Sequence, residues 1–272
     1  MSQAAAETSL PDTLTNEMIA SRERLGDPLL SHVWRWDART VVKLTDAAST
    51  SAEAVALAFV HERTSIPVPR LLKLAEQDGQ GTIFMEFIDG QPLDEAWPSC
   101  TAAQRSHIIS QLRGFLAELR AITGEFIGSV DRSVCNDQVF ANRASAYGPY
   151  ADEAAFRVGI GQSLRACDAD PTWTELVIGF VEAMPLHHEE PPVMTHGDLV
   201  PRNILVKDGH VVGIVDWEMA GFYPPYWEYV KGHLLADFEH PWMQERVLDQ
   251  ILLTPYPIEL GLLFHTRKIL MY

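Results

Sequence analysis

Thr195-His-Gly-Asp-Leu-Val-Pro-Arg-Asn-Ile-Leu-Val206 is followed ten residues on by Asp216, within Gly213-Ile-Val-Asp-Trp-Glu218. Asp198 and Asn203 lie five apart, and Asp216 lies thirteen beyond the asparagine. Taken singly, an aspartate or an asparagine is often a turn cap, bonded to its own local backbone. The flanking residues argue for more. Ile204-Leu-Val206 and Val211-Val-Gly-Ile-Val215 are apolar, β-branched runs separated by Lys207-Asp-Gly-His210, and Asp-Gly between two such runs predicts a tight hairpin. That hairpin carries Asn203 and Asp216 to adjacent ends of one ribbon, with Asp198 just before it. One potential base and two hard oxygen ligands converge, the set that metal-assisted phosphoryl transfer from a nucleotide requires.

The ordered set His-Gly-Asp-x-x-x-x-Asn and Ile-Val-Asp-Trp-Glu resembles the catalytic and metal-binding loops of the aminoglycoside phosphotransferase and choline kinase family, relatives of the protein kinases. Val41-Val-Lys-Leu44, Ser65-Ile-Pro-Val-Pro69, Phe84-Met-Glu-Phe-Ile-Asp-Gly-Gln-Pro-Leu-Asp94 and Pro224-Pro-Tyr-Trp-Glu228 extend the resemblance from about residue 30 to residue 240. The chain looks most like the branch abundant in filamentous fungi. The resemblance implies an α+β, bilobal kinase-like fold, with a small antiparallel-sheet lobe carrying one helix and a larger, mainly helical lobe. It also implies ATP, with GTP not excluded, and Mg2+ as cofactors, and a small-molecule hydroxyl as acceptor.

Each candidate residue then has an electrostatic task, because phosphoryl transfer rests on positioning and charge neutralisation. Asp198 would accept the proton of the acceptor hydroxyl, and Asn203 and Asp216 would hold the metal. Lys43 is either a solvated edge lysine or an inward one. Val41, Val42 and Leu44 cannot all face water, so the inward reading is favoured, with Glu53 as the ion-pair partner that the resemblance implies and Glu62 as a competitor. Arg202, four residues after Asp198, either neutralises the transferred phosphoryl group or makes a structural ion pair. His196 is assigned to orienting the loop. The backbone groups of Glu86 and Ile88 are placed by the resemblance against the nucleotide base. Tyr223, Trp227 and Glu228 are candidates for the acceptor pocket, aromatics for stacking and carboxylates for amines. Glu218 is read as bracing the catalytic loop, and Glu228 is balanced between bracing and binding.

Three departures qualify the resemblance. Residues 25 to 42 contain only Gly26, so a glycine-rich phosphate lid is degenerate. The Gly159-Ile-Gly161 pair falls in a helical segment and cannot replace it. Val200 stands where many Ser/Thr protein kinases carry lysine, and Trp217-Glu218 follows the metal aspartate in place of Phe-Gly, as is usual in the small-molecule branch.

Bulk composition narrows the class. With 47% hydrophobic residues in 272, the chain holds a packed core. Its 37 acidic residues against 21 basic give a net charge of −16, which repels nucleic acid and suits a cationic or amino-bearing small molecule as readily as it serves solubility. Cys100, Cys135 and Cys167 are scattered and odd in number, as expected in a reducing compartment. No signal-like start and no membrane-length apolar run is present, so a cytoplasmic protein with no membrane partner is expected.

Along the chain, residues 1–28 are weakly patterned, with a helix expected over Thr13 to Arg24 that would cap the first lobe. Residues 29–89 read as that lobe: strands at 32–36 and 40–44, a helix over Ala52 to Arg63 with Glu53 in its first turn, then strands at 70–75 and 81–88. Residues 90–272 read as the helical lobe, with helices near 102–122, 151–167, 172–184 and 227–236 around the catalytic loop (195–206) and metal loop (214–218). Two other functions stay open: a nucleotide-binding module with little transfer, suggested by the degenerate lid, and a scaffold recruited to another reaction.

Overall fold

The computed structural model describes residues 10–26, 31–140, 147–187, 190–235 and 237–270. The first part of the chain forms an antiparallel sheet of β1 (Arg24–Leu25), β2 (Val33–Arg35), β3 (Thr40–Asp46), β4 (Leu71–Gln77) and β5 (Gln80–Glu86), in the order β1-β2-β3-β5-β4. Side chains alternate across a strand, and both faces of β3 are covered. Val42 and Leu44 pack with Phe84 and Ile19 on one face, while Val41 belongs to the main core on the other. Lys43 shares Val41's face and therefore points inward.

The outer face is covered by the N-terminal segment. Helix α1 (Asn16–Ala20) buries Ile19, Leu10 and Leu14 pack beside it, and Arg22 lies 3.6 Å over the Trp36 ring. The helix is shorter than the expected span from Thr13 to Arg24, because Arg24 and Leu25 pair instead with Trp34 and Val33. The expected start of that segment, residues 1–9, lies outside the described residues. Truncating Ile19 to alanine is expected to destabilise the fold by about 2–3 kcal/mol, the usual cost of an emptied aliphatic site. Urea unfolding checks this, and a wild-type midpoint would show that the segment does not hold the sheet.

Helix α2 (Ala47–Arg63) begins earlier than the expected Ala52, because Asp46 at the end of β3 caps it, accepting from Ser49 N at 3.0 Å and Ser49 Oγ at 2.8 Å. Glu53 accordingly sits beyond the first turn, on the same face as Ser49, Leu57 and Val60, all buried.

Beyond β5 the chain crosses to the helical lobe through β6 (Gln91–Pro92) and α3 (Leu93–Ala96). Helix α4 (Ala102–Arg120) starts with a reciprocal Thr101–Gln104 cap and buries Ile108, Leu112, Leu116 and Leu119. After β7 (Gly128–Ser129) come α5 (Glu153–Arg165) and α6 (Pro171–Ala183), and then β8 (Val193–Thr195), β9 (Ile204–Lys207), β10 (His210–Ile214) and β11 (Gly221–Tyr223). Helix α7 (Trp227–Leu235) is followed by the short α8 (Pro241–Gln244), α9 (Val247–Ile251), α10 (Pro257–Leu263) and α11 (Arg267–Leu270). The expected end of α7 at Ala236 lies outside the described residues.

Two small sheets, β10-β9-β6 and β7-β11-β8, position the loops. The β9–β10 turn has Asp208 and Gly209 at φ 51° and 79°, the left-handed pair that a two-residue hairpin demands. Ile204 pairs with Ile214, and Val215 N donates to Asn203 O at 2.9 Å. Strand β8 feeds the catalytic loop and pairs with β11, which follows the metal loop, through Thr195 and Gly221. The lobes are tied where Glu118 accepts from Ser65 N and Oγ at 2.7 and 2.6 Å, and where Ile214 N donates to Pro67 O. Among the described residues no helix is long and apolar enough to cross a membrane.

Candidate active site

Lys43 Nζ lies 2.8 Å from Glu53, 2.6 Å from Asp216 and 3.0 Å from Glu218. Glu62 is exposed at the far end of α2 and takes no part. One ammonium therefore joins a strand and a helix of the small lobe to the metal loop of the large one. Burial opposes its charge, but the carboxylates of Glu53, Asp216 and Glu218 outweigh burial and hold its pKa well above the ordinary lysine range. Burial pushes the Glu53 carboxyl up to about 7, with the Lys43 ammonium opposing. Burial also works against Asp216, yet the same ammonium keeps its carboxyl below the ordinary aspartate value.

Asp216 has φ 68°, a left-handed conformation that is costly for a residue with a side chain. Such a cost persists only where the surroundings impose it, and here it aims the carboxylate at Lys43 and not along β10. Carboxylate oxygens of Glu53, Asp216 and Glu218 all lie within 4.8 Å of one another. This is a hard-oxygen donor set suited to a divalent cation. Asp216 and Asn203 would hold the ion, with Glu218 beside them, and it would neutralise phosphate oxygens there.

The catalytic loop is held from below. His196 N and Gly197 N donate to the two oxygens of Glu228, at 2.5 and 3.2 Å. Glu228 is 1% exposed on α7, and burial raises its carboxyl above the usual glutamate range. His196 Nδ1 accepts from Asp198 N at 3.2 Å, and its Nε2 lies 3.1 Å from Val215 O. Those partners select the neutral tautomer with the proton on Nε2. The ring is wholly buried against Trp217, and burial lowers its pKa. Gly197 has φ 81°, and a Cβ there would meet Met219 O at 2.8 Å, so only glycine lets the two loops approach this closely.

Asn203 Nδ2 donates to Asp198 O at 2.9 Å and to its Oδ2 at 2.8 Å, which leaves the amide oxygen as the atom for a cation. Arg202 Nη2 reaches both Asp198 oxygens, at 3.1 and 2.9 Å. That is the ion-pair alternative: Arg202 rests on Asp198 and is half exposed. Burial raises the Asp198 carboxyl against the opposing Arg202 charge. A carboxylate so placed is oriented by two side chains and made more basic by its surroundings, as suits a proton acceptor.

Several expectations are corrected. Glu218 does not brace the catalytic loop; it pairs with Lys43, and the brace is Glu228, which therefore does not line an acceptor pocket. Tyr223 and Trp227 are 0% and 2% exposed, stacked on each other at 5.8 Å, with Trp227 Nε1 donating to Asp137 at 3.0 Å. They are core residues, not a stacking surface. At the lobe junction, Glu86 N donates to Arg70 O, which commits that amide, while Ile88 O accepts from Gly90 N and keeps a second lone pair. Of the β1–β2 connection that would form a phosphate lid, residues 27–30 lie outside the described residues.

The chain belongs to the phosphotransferase enzyme family, whose sequence model matches residues 27–252. Family and fold together define a phosphotransferase enzyme with a kinase-like fold. Solved structures share the fold at low identity. The aminoglycoside phosphotransferase APH(3'')-Id from Streptomyces rimosus, in complex with ADP and streptomycin, has a TM-score of 0.58 at 16% identity, covering 88% of this chain and 90% of that one. APH(2")-IIa, in a ternary complex with streptomycin and ATP, has a TM-score of 0.62 at 14% identity, covering 91% and 83%. A protein assigned as a fructosamine-3-kinase from Haemophilus somnus 129PT has a TM-score of 0.60 at 16% identity, covering 92% and 82%. A search of curated proteins finds no match.

Lys43→Ala is expected to weaken binding of a magnesium nucleotide by about 2–4 kcal/mol, because with a degenerate lid the phosphates depend on this ammonium and the metal. Calorimetry on wild type and variant checks it. Equal affinities would remove Lys43 from the nucleotide site.

Proposed function

We propose that the chain transfers the terminal phosphoryl group of ATP, with Mg2+, to a hydroxyl group of a small, amino-bearing molecule. The observation that supports this most strongly is the three-way contact of Lys43 with Glu53, Asp216 and Glu218, which draws the small lobe and the metal loop to one point beside Asp198. In this reading Lys43 holds phosphate oxygens and Glu53 steers the lysine. Asn203 and Asp216 hold the metal, and Asp198 takes the hydroxyl proton. Arg202 must leave Asp198 or share it as phosphoryl charge arrives. The net charge of −16 favours a cationic acceptor. The structural relatives in complex with streptomycin support a small-molecule acceptor. Incubating the protein with MgATP and a panel of amino-bearing alcohols, with products read by mass spectrometry, tests the reading.

A second reading, a nucleotide-binding module with little transfer, is favoured by the single glycine in residues 25–42. It predicts MgATP binding in calorimetry with no phosphorylated product from any acceptor.

A further inference from the structure

Asn136 and Asp137 lie on the segment after β7, and no motif in the sequence marks them. Asp137 faces down into α7. Its carboxylate accepts from Lys231 Nζ at 2.9 Å, Trp227 Nε1 at 3.0 Å and Val139 N at 2.9 Å. The Asp137 and Lys231 side chains are 0% and 5% exposed, so the pair is sealed from water and its geometry is stiff. Asn136, the preceding residue, faces the opposite way. Its Nδ2 donates to Glu218 O at 2.7 Å and reaches Ser49 Oγ at 3.4 Å. Ser49 lies in the first turn of α2, one turn before Glu53 on the same face, and its hydroxyl donates to the cap Asp46 while accepting from Asn136. Glu218 is two residues past Asp216. A single buried amide thus touches the helix that carries Glu53 and the loop that carries Asp216, from a base anchored in α7.

We propose that Asn136 is a positioning residue, a strut that locks the start of α2 to the metal loop and keeps Glu53, Lys43 and Asp216 in register. The strut stands on contacts in the nucleotide-free protein, whereas its consequence for nucleotide binding rests on the phosphoryl-transfer reading. The donor character of the amide matters more than its volume. In Asn136→Asp an acceptor oxygen would face the Glu218 carbonyl and a negative charge would be buried there, so this isosteric change should be worse than Asn136→Ala. A residue that merely filled space would show the opposite order.

The test is hydrogen–deuterium exchange on nucleotide-free wild type, Asn136→Ala, Asn136→Asp and Ser49→Ala, followed by MgADP affinity. Removing one buried hydrogen bond is expected to speed exchange of the amides of residues 49–53 and 217–220 together, by about tenfold, and to weaken MgADP binding by a similar factor, with Asp worse than Ala. Ser49→Ala, which cuts the upper contact together with the Ser49 bond to Asp46 but leaves Asn136 on the Glu218 carbonyl, should loosen α2 and not residues 217–220, and unchanged exchange there keeps the test decisive should an Asn136 variant not fold. Unchanged exchange at residues 49–53 in Asn136→Ala or in Ser49→Ala overturns the strut, as does an Asn136→Asp protein no worse than Asn136→Ala. Failure of wild type to bind MgADP would sink the phosphoryl-transfer reading, while the exchange comparison would still decide the strut.

Discussion

Asp198→Asn is expected to lower kcat for phosphoryl transfer by about a thousandfold, within the range that general-base catalysis supplies, while magnesium-nucleotide affinity stays within about threefold of wild type. The substitution keeps the shape of the side chain. Its amide oxygen can still accept from Asn203 Nδ2 and Arg202 Nη2, the contacts that orient Asp198. What is lost is a group able to take the hydroxyl proton, so the effect should fall on kcat and not on nucleotide binding. Single-turnover kinetics beside calorimetry separates the two. Near wild-type turnover would remove Asp198 from the role of base, and lost nucleotide affinity would mean that the variant had disturbed Asn203 instead.

The largest effect on stability is expected at Glu228. Replacing it with alanine strips His196 N and Gly197 N, two buried amides, of their Glu228 acceptors. Two orphaned donors at about 1–3 kcal/mol each give a loss on the order of 3 kcal/mol. In a domain of this size that corresponds to a fall in Tm of about 6–12 °C. Transfer should vanish as well, since the loop carries Asp198. Glu228→Gln keeps one acceptor and should fall between the two. Were Glu228→Ala to melt with wild type and lose only acceptor affinity, the glutamate would line the acceptor site after all, and the brace would have to be sought elsewhere.

The roles of Glu218 and Glu228 show where reading the sequence runs out. Asp198, Asn203 and Asp216 are close in the chain, and a two-residue hairpin fixes their relation, so spacing alone brings them together. Lys43 is readable from its apolar neighbours, because a strand alternates and both faces of β3 have to be covered. Glu218 and Glu228, by contrast, are two acids in one aromatic-rich string, and what separates them is which way α7 runs beneath the catalytic loop. The same string misleads about Tyr223 and Trp227. Tyr223, Tyr226, Trp227, Tyr229 and Val230 are all buried, the pattern of a helix and its approach packed on every side, and not of aromatics lining an open pocket. Asn136, Asp137 and Lys231 leave no local signal, since their contacts join residues 82 to 94 positions apart. The N-terminal helix stops short of its sequence pattern because the pairing of Arg24 and Leu25 with β2 is a tertiary event that helical propensity does not foresee.

The most direct measurement is mass spectrometry of amino-bearing alcohols incubated with MgATP and either wild type or Asp198→Asn. The account predicts that with wild type at least one acceptor gains one phosphoryl group as an equal amount of ADP appears, and that the variant binds MgATP yet forms almost none of that product. Equal yields from the two proteins, or MgATP bound by wild type with no phosphorylated acceptor formed, would contradict it.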